Sequence, residues 1–530
     1  MADAPQSAVP VAAPAPTSAR APDASAPVAD GLDRETWIVA GVVLLGAIMS
    51  ILDTTVINVA IDRLAIDFNT SLTTIQWVVT GYTLALAAVI PATGWAADRF
   101  GTKRIYLWSL ALFMLGSILS GLAWSAGSLI AFRVLQGVGG GMIMPAVMTI
   151  MTKKAGPQRM GRVMGVLGMP MLIAPILGPI LGGWLVDDVS WRWIFFINVP
   201  IGIVAIALAA KVLERDTPQP AHRLDWLGMA LLSPGLTALI YGLAESNGSG
   251  GFGATKCWLP VLAGVILIAA FFWHSWRSEE PLIDIRTFTH TRAGASAALF
   301  MLFSVAFFGA LLLVPLYYQS VRGASALEAG LLLAPQGLGA MITMPLAGRL
   351  TDRYGPVKWP AFGIPLLVVG IAPFAFVTAH TSYVLLCSFM FVLGLGMGFS
   401  MMPTMTAAMQ AVPAAAIART STAMNIIRQS GASIGTAILS VILSSEITSR
   451  LSSALGGAAA SGGKSGFETL HSLSPAQQGA ISEPLAEAFA ASFVWALVLL
   501  VLAFIPALAM AIRGWDEGPP QAAAPGVVME

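Results

Sequence analysis

Separate apolar runs of about 20 residues recur along almost the whole 530-residue chain, and each is long enough to cross a bilayer as a helix. Segments such as "VLAGVILIAAFFW" (261–273) and "SFVWALVLLVLAFIPALAMAI" (492–512) lack the polar face that a helix at the surface of a soluble core would carry. With 56% hydrophobic and 10% charged residues, the chain cannot clothe a set of water-soluble domains, so it reads as an all-α polytopic membrane protein. Fourteen spans are predicted, at 36–58, 74–96, 105–124, 128–151, 161–185, 194–212, 225–244, 257–276, 293–318, 326–349, 358–378, 383–409, 420–445 and 486–512. An even number places both termini on one side. Lys and Arg choose that side: with the N-terminus cytoplasmic, and residues at span ends counted with the loop they adjoin, 20 of the 28 basic residues fall in cytoplasmic segments, 6 fall outside and 2, Arg133 and Arg428, lie deeper within spans.

Two of the few charged clusters repeat one another. "GWAADRFGTKR" (94–104) follows the second span, and "GRLTDRYGPVK" (348–358) follows the tenth. If each half of the chain opens with such a loop, a half is six helices, and spans seven and eight are an inserted hairpin. The predicted organisation is a disordered cytoplasmic tail (1–35), an N-terminal six-helix bundle (36–213), a transmembrane hairpin with flanking linkers (214–292), a C-terminal six-helix bundle (293–512) and a cytoplasmic tail (513–530). Internal repeats of this kind mark secondary transporters. The Ala/Pro-rich N-terminus lacks the basic start and apolar core of a signal peptide, so the first span is expected to direct insertion.

In the repeated loop, Gly94 permits close helix approach and Gly101 a tight turn. Asp98 stands where it can reach the positive N-terminal end of a neighbouring helix. Arg99, Lys103 and Arg104 would hold the loop on the cytoplasmic face. A contact that forms in one state and breaks in another would gate transport. Asp352 and Arg353 occupy the matching places in the second copy, which lacks the closing basic pair and is expected to be the weaker latch.

At this point the sequence resembles the major facilitator superfamily. "GWAADRFGTKR" resembles its loop signature, and the imperfect second copy is what that superfamily also shows. "LDTTVINVA" (52–60), "LIAFRVLQGVGGG" (129–141), "GPILGG" (178–183) and "WRWIFFINVPIG" (191–202) are similar to motifs of the fourteen-helix drug:proton antiporter branch. The sequence departs from the usual patterns at Ala96, Thr102, Ala174 and Ile61–Asp62. The resemblance implies two six-helix bundles with an inserted hairpin, and multidrug efflux driven by protons. It also implies an antiporter motif carried by Gly178, Pro179, Gly182 and Gly183. Pro170, Pro175 and Pro179 predict a bent helix there, packed on the opposite bundle.

Ionisable groups inside spans are the sharpest signal, because a charge at the bilayer centre costs about 3 kcal/mol on insertion scales. Asp53 lies in the outer half of the first span. The fourth span runs the other way, so Arg133 near its start falls at a similar depth, where the two could pair or share a wet cavity. No acid lies in the interiors of the ninth to twelfth spans, and the resemblance matches Asp53 and Arg133 to the family's proton-coupling acid and motif Arg. Candidate substrate contacts are Asn58, Gln76, Trp77, Tyr82, Gln136, Tyr318, Gln319 and Asn425. Arg428 is expected to act in structure or gating. The Met-rich run "GMGFSMMPTM" (396–405) suits either an adaptable cavity or a lipid-facing surface.

The expected cargo is an amphipathic small molecule: an antibiotic, a dye or an endogenous metabolite. The alternative is a lipid or glycolipid. The expected partners are the substrate, protons and the bilayer of the inner (plasma) membrane, with the chain acting as a monomer. A net charge of +1 suggests no nucleic-acid partner. Two cysteines, Cys257 and Cys387, suggest no disulfide framework and no Cys-rich metal site, and no cofactor or metal is expected. Clustered catalytic groups are absent, so no enzyme activity is expected. "GGAAASGGKS" (456–465) imitates a phosphate-binding loop, but Ala458 stands where that pattern needs Gly, so no ATP coupling is expected.

Overall fold

The computed structural model describes residues 33–156, 181–214, 224–245, 253–289, 292–413, 416–454 and 481–513, with scattered positions between 159 and 178. Among these residues every regular element is helical. Helix α1 (Arg34–Val56) starts two residues before the predicted span because Asp33 caps it, its side chain accepting from the Thr36 amide at 3.1 Å. Just past Asp53 the hydroxyls of Thr54 and Thr55 bond back to the carbonyls of Ile51 (2.7 Å) and Leu52 (2.9 Å). Such back-bonding competes with the helix ladder, and the chain tightens into a 3₁₀ turn at Ile57–Ala60 before α2 (Ile61–Asp67).

Then follow α3 (Leu72–Phe100), α4 (Thr102–Gly121), α5 (Ala126–Ala155), α6 (Trp193–Phe196), α7 (Asn198–Val212), α8 (Trp226–Glu245) and α9 (Thr255–Arg277). After them come α10 (Arg292–Ser320), α11 (Ala326–Tyr354), α12 (Trp359–Ile371), α13 (Tyr383–Gln410), α14 (Ile417–Ala454) and α15 (Ser482–Ile512). Thirteen stretches among the described residues are long and apolar enough to cross a membrane. The remaining predicted span, 161–185, falls largely outside the described residues, as do Pro170, Pro175 and Pro179, most of both tails and the stretch 456–465.

Packing divides the helices into two groups. α3, α4 and α5 form one cluster with α1 and α7 against it; α10 to α15 form the other. Lipid offers no hydrophobic drive for helix association, so close backbone contact has to supply it. In the first bundle Gly139 is such a contact: a methyl there would lie 2.4 Å from the Phe113 amide nitrogen of α4. The groups meet where α3 and α5 lie on α14. From the predicted bent segment, Gly165 and Gly168 reach α11, where a Cβ would come within 2.8 Å of the Met344 carbonyl oxygen and 2.4 Å of the Met344 sulfur respectively.

The inserted hairpin, α8 and α9, packs against α3 of one group and α14 of the other. Leu232, Leu236 and Phe271 cluster with Ala423 of α14, and Trp77 of α3 meets Tyr241 of α8 at 5.6 Å between ring centroids.

The sequence repeat is also a backbone repeat. Gly101 and Gly355 adopt φ of 90° and 83° at matching places, closing α3 and α11 in the left-handed region that favours glycine.

Candidate functional site

Three arrangements concentrate the polar groups: an ion pair in the first bundle, two contacts on the face that carries the repeated loops, and a cavity between the bundles.

Asp53 and Arg133 do meet. Arg133 Nη1 lies 2.5 Å from Asp53 Oδ2, and both side chains are almost fully buried. The carboxylate has two further donors: Gln136 Nε2 donates to Oδ1 at 2.8 Å and Asn198 Nδ2 to the same oxygen at 3.2 Å. Asn198 is anchored by Ser117 Oγ at 3.0 Å, which in turn donates to the Phe195 carbonyl at 2.8 Å. Arg133 also donates to the Gln136 Oε1 (2.7 Å) and to the Val78 carbonyl (3.3 Å), and lies 4.2 Å from the Tyr82 ring centroid. Thus α1, α3, α4, α5 and α7 converge on one carboxylate. Three side chains donating to one buried carboxylate offset its removal from water. Proton uptake would disturb contacts on several helices together.

From the antiporter motif, Gly178 abuts α1 two residues from Asp53: a Cβ there would fall 2.5 Å from that of Thr55. Gly182 is buried, Gly183 has open space around it, and Pro179 lies outside the described residues.

On the loop face, each copy of the repeated motif sends its aspartate to the opposite bundle. Asp98 pairs with Arg419, at the start of α14, at 3.5 Å. Asp352 pairs with Arg162 at 3.3 Å and accepts from the Arg162 backbone amide at 3.3 Å. The aspartate of the second copy lies as close to its partner as that of the first. Of the closing basic pair, Lys103 serves its own bundle, donating to the carbonyls of Ala210 (2.7 Å) and Leu213 at the end of α7. Arg99, Arg104 and Arg353 are exposed. Gly94 lets α3 seat on α14: a Cβ there would come within 2.9 Å of Thr422 Oγ1.

Between the bundles lies a cavity of about 420 Å³, inside the size range of small-molecule sites. Its walls come from α1 (Ser50, Ile51, Thr54), α3 (Tyr82, Thr83, Leu86, Ile90), α5 (Gly140, Gly141, Met144, Pro145), α10 (Phe307, Phe308, Leu311), α11 (Leu333, Gln336, Gly337), α13 (Met397, Met401) and α14 (Asn425, Arg428, Gln429). Of the eight candidate substrate contacts, Tyr82 and Asn425 line it. Gln136 holds Asp53 instead. Gln76 and Gln319 are exposed, Trp77 faces the hairpin, and Tyr318 is buried elsewhere, its ring 5.5 Å from that of Tyr317. The Asn58 side chain lies outside the described residues. The Met-rich run is buried rather than lipid-facing, with Met397 and Met401 on the cavity wall.

Residues that sequence reasoning passed over are Asn198, Ser117, Gln336 and Gln429. Asn198 stood inside a quoted motif, and its position among apolar neighbours in "FFINVPIG" was a usable signal.

Comparison with known proteins agrees with this architecture. The sequence model of the Major Facilitator Superfamily matches residues 43–436. A multidrug resistance protein B homolog of Mycobacterium tuberculosis (strain ATCC 25618 / H37Rv) is 46% identical over 413 residues, covering 77% of this chain and 76% of that protein. The multidrug export protein EmrB of Escherichia coli (strain K12) is 31% identical over 398 residues, covering 74% and 77%. Among solved structures, the proton:xylose symporter XylE superposes with a TM-score of 0.55 at 15% identity, covering 88% of this chain and 95% of that one. The human organic anion transporter MFSD10 superposes with a TM-score of 0.58 at 14% identity, covering 88% and 100%. At such identities the two structures speak for the fold alone.

Proposed function

The chain belongs to the major facilitator superfamily, and on that premise we propose that it is a proton-coupled exporter of amphipathic small molecules, working by alternating access in the inner membrane of a bacterial cell. Both termini and the loop face are cytoplasmic. The division into bundles at 36–213 and 293–512, with a hairpin at 214–292, is the working division of the machine. The multidrug exporters among its relatives support efflux as the direction of transport.

The observation that carries the proposal is the Asp53 network, one side chain away from the cavity. Tyr82 has one face against the Arg133 guanidinium and itself lines the cavity. Cargo that displaces Tyr82 disturbs the cation holding Asp53. Protonation of Asp53 removes the charge on which Arg133, Gln136 and Asn198 converge, loosening α1 from α5 and α7. In the state described here the cytoplasmic side is held by Asp98–Arg419 and Asp352–Arg162. Rocking the bundles breaks both pairs and opens the cavity to the cytoplasm.

The direct test uses the purified protein in proteoliposomes, loaded with an amphipathic dye on the side facing the cytoplasmic surface. An imposed pH gradient should drive the dye uphill, and a protonophore should abolish that movement. Uphill flux that survives the protonophore, or none with the gradient present, refutes proton coupling.

A further inference from the structure

Arg428, expected to serve structure or gating, also stands where cargo could reach it. It lies on the cavity wall, half-buried, twelve positions into α14. Among the described residues it makes no ion pair and no hydrogen bond. The side chains of Gln336 and Gln429, on the same wall, make none either. Asn425 gives its amide to the Ser421 carbonyl at 2.9 Å. Among the described residues no Asp or Glu lines the cavity. The nearby acid, Asp53, is committed to Arg133, Gln136 and Asn198 and lies behind Tyr82. A guanidinium inside a membrane protein is costly unless it is paired or wetted. Among the described residues this cavity therefore carries one formal charge, positive, and shares its wall with the Gln336 and Gln429 amides and with Phe307, Phe308, Met397 and Met401.

We propose that this cavity is selective for amphipathic organic anions, with a carboxylate or sulfonate held by Arg428 and an apolar body against the Phe and Met side chains. The planar, five-donor guanidinium suits a two-oxygen anion. The Gln336 and Gln429 amides can donate to the oxygens it leaves. A cationic cargo would meet like charge with no acid to offset it, which is selection by repulsion as well as attraction. The assignment rests on the exporter reading above only in taking the cavity as the cargo site.

The test is a binding measurement, independent of proton coupling. Purified protein in phosphatidylcholine nanodiscs is titrated with three probes that share one apolar body: 2-naphthoate, 2-naphthamide and 2-naphthylmethylammonium. The carboxylate should bind at least about tenfold more tightly than the amide, as one charge-assisted contact warrants, and the ammonium most weakly. Arg428→Gln should bring the carboxylate-to-amide ratio to about one, and an unchanged thermal midpoint in the nanodisc reports that the variant is folded. Arg428→Lys should keep part of the preference. Wild-type protein that binds the ammonium as tightly as the carboxylate overturns the proposal without any variant, as does Arg428→Gln with its preference intact. Carboxylate binding that vanishes in phosphatidylglycerol nanodiscs would assign the site to a lipid headgroup and overturn it too. Failure of gradient-driven flux with this preference intact would refute proton coupling and leave the anion site standing. Coupled pumping with no charge preference would do the reverse.

Discussion

Replacing Asp53 by Asn removes one negative charge and little volume. The new side chain keeps an oxygen that can accept from Gln136 or Asn198, at present 2.8 and 3.2 Å from Oδ1. Its nitrogen replaces the oxygen that faces Arg133 at 2.5 Å. Breaking a buried pair by removing one partner costs about 3–5 kcal/mol. Arg133 retains the Gln136 Oε1, the Val78 carbonyl and the Tyr82 face, so the lower end, about 3 kcal/mol, is expected. For a chain this long that lowers the thermal midpoint by about 3 °C. The transport effect should be far larger. One proton crossing about 100 mV supplies roughly 2.3 kcal/mol, which sustains roughly a fifty-fold gradient of a neutral cargo. Asp53→Asn should reduce that accumulation to none while cargo binding survives. The double variant Asp53→Asn with Arg133→Gln separates two explanations. It restores charge balance, so thermal stability should recover in part, and the shortfall from additivity measures the pair. If Asp53 is the proton site, uphill flux stays absent in the double variant. Recovery of wild-type accumulation together with stability would mean that the pair is only structural, and the coupling assignment would be wrong.

Three further outcomes are expected. Asp98→Asn and Asp352→Asn should each slow dye flux at least several-fold with binding unchanged, and the exchange Asp98→Arg with Arg419→Asp should recover part of it; unaltered turnover in both single variants would reduce the repeated loops to topological anchors. Gly94→Val should mimic loss of the Asp98 latch without touching a charge, because the added atoms meet Thr422 of α14 within 2.9 Å; a variant with normal flux would show that α3 need not seat on α14. In a Cys-free background, single cysteines at 153 and 358 should resist an impermeant thiol reagent in intact cells while one at 464 is labelled, and labelling of 153 would invert the topology.

How much of this could be read in the sequence follows from what periodicity encodes. The number and length of apolar runs are one-dimensional properties, so the helical class and the repeat were legible. Depth along a helix is nearly so: Asp53 and Arg133 could be matched because both positions are counted from a predicted span end. The face that a residue presents is different. A helix apolar all round carries no phase, so nothing in "SLTTIQWVVTGY" says that Trp77 turns to the hairpin while Tyr82 turns to the cavity. Asn198 was missed for the same reason. Its role depends on how α7 is rotated against α1 and α4, which only packing determines. The cross-bundle partners Arg162 and Arg419 were visible as charges near span ends, but pairing them with Asp352 and Asp98 needs the bundles already docked.

The separation of the two charged elements has an energetic consequence for transport. On the proposed reading, the proton binds at Asp53 in the first bundle and the cargo anion at Arg428 in the second, with Tyr82 between the ion pair and the cavity. Exchange requires that proton and cargo occupy the carrier in alternate half-cycles, and the Tyr82–Arg133 contact is the place where one site can sense the other, so each crosses in its own direction within one cycle. A proton moving inward and a monoanion moving outward each carry charge down the membrane potential. Two charges crossing about 100 mV supply roughly 4.6 kcal/mol, enough for roughly a two-thousand-fold gradient, against roughly fifty-fold for a neutral cargo. A monocation exchanged for one proton would gain nothing from the potential and would depend on the pH difference alone. The expected signature is that clamping the potential to zero with valinomycin and potassium, at constant pH gradient, cuts the steady-state gradient of 2-naphthoate far more than that of 2-naphthamide. Equal sensitivity of the two would mean that the anion crosses with a second proton or with a compensating cation, and that the cavity's charge sets affinity without setting the driving force.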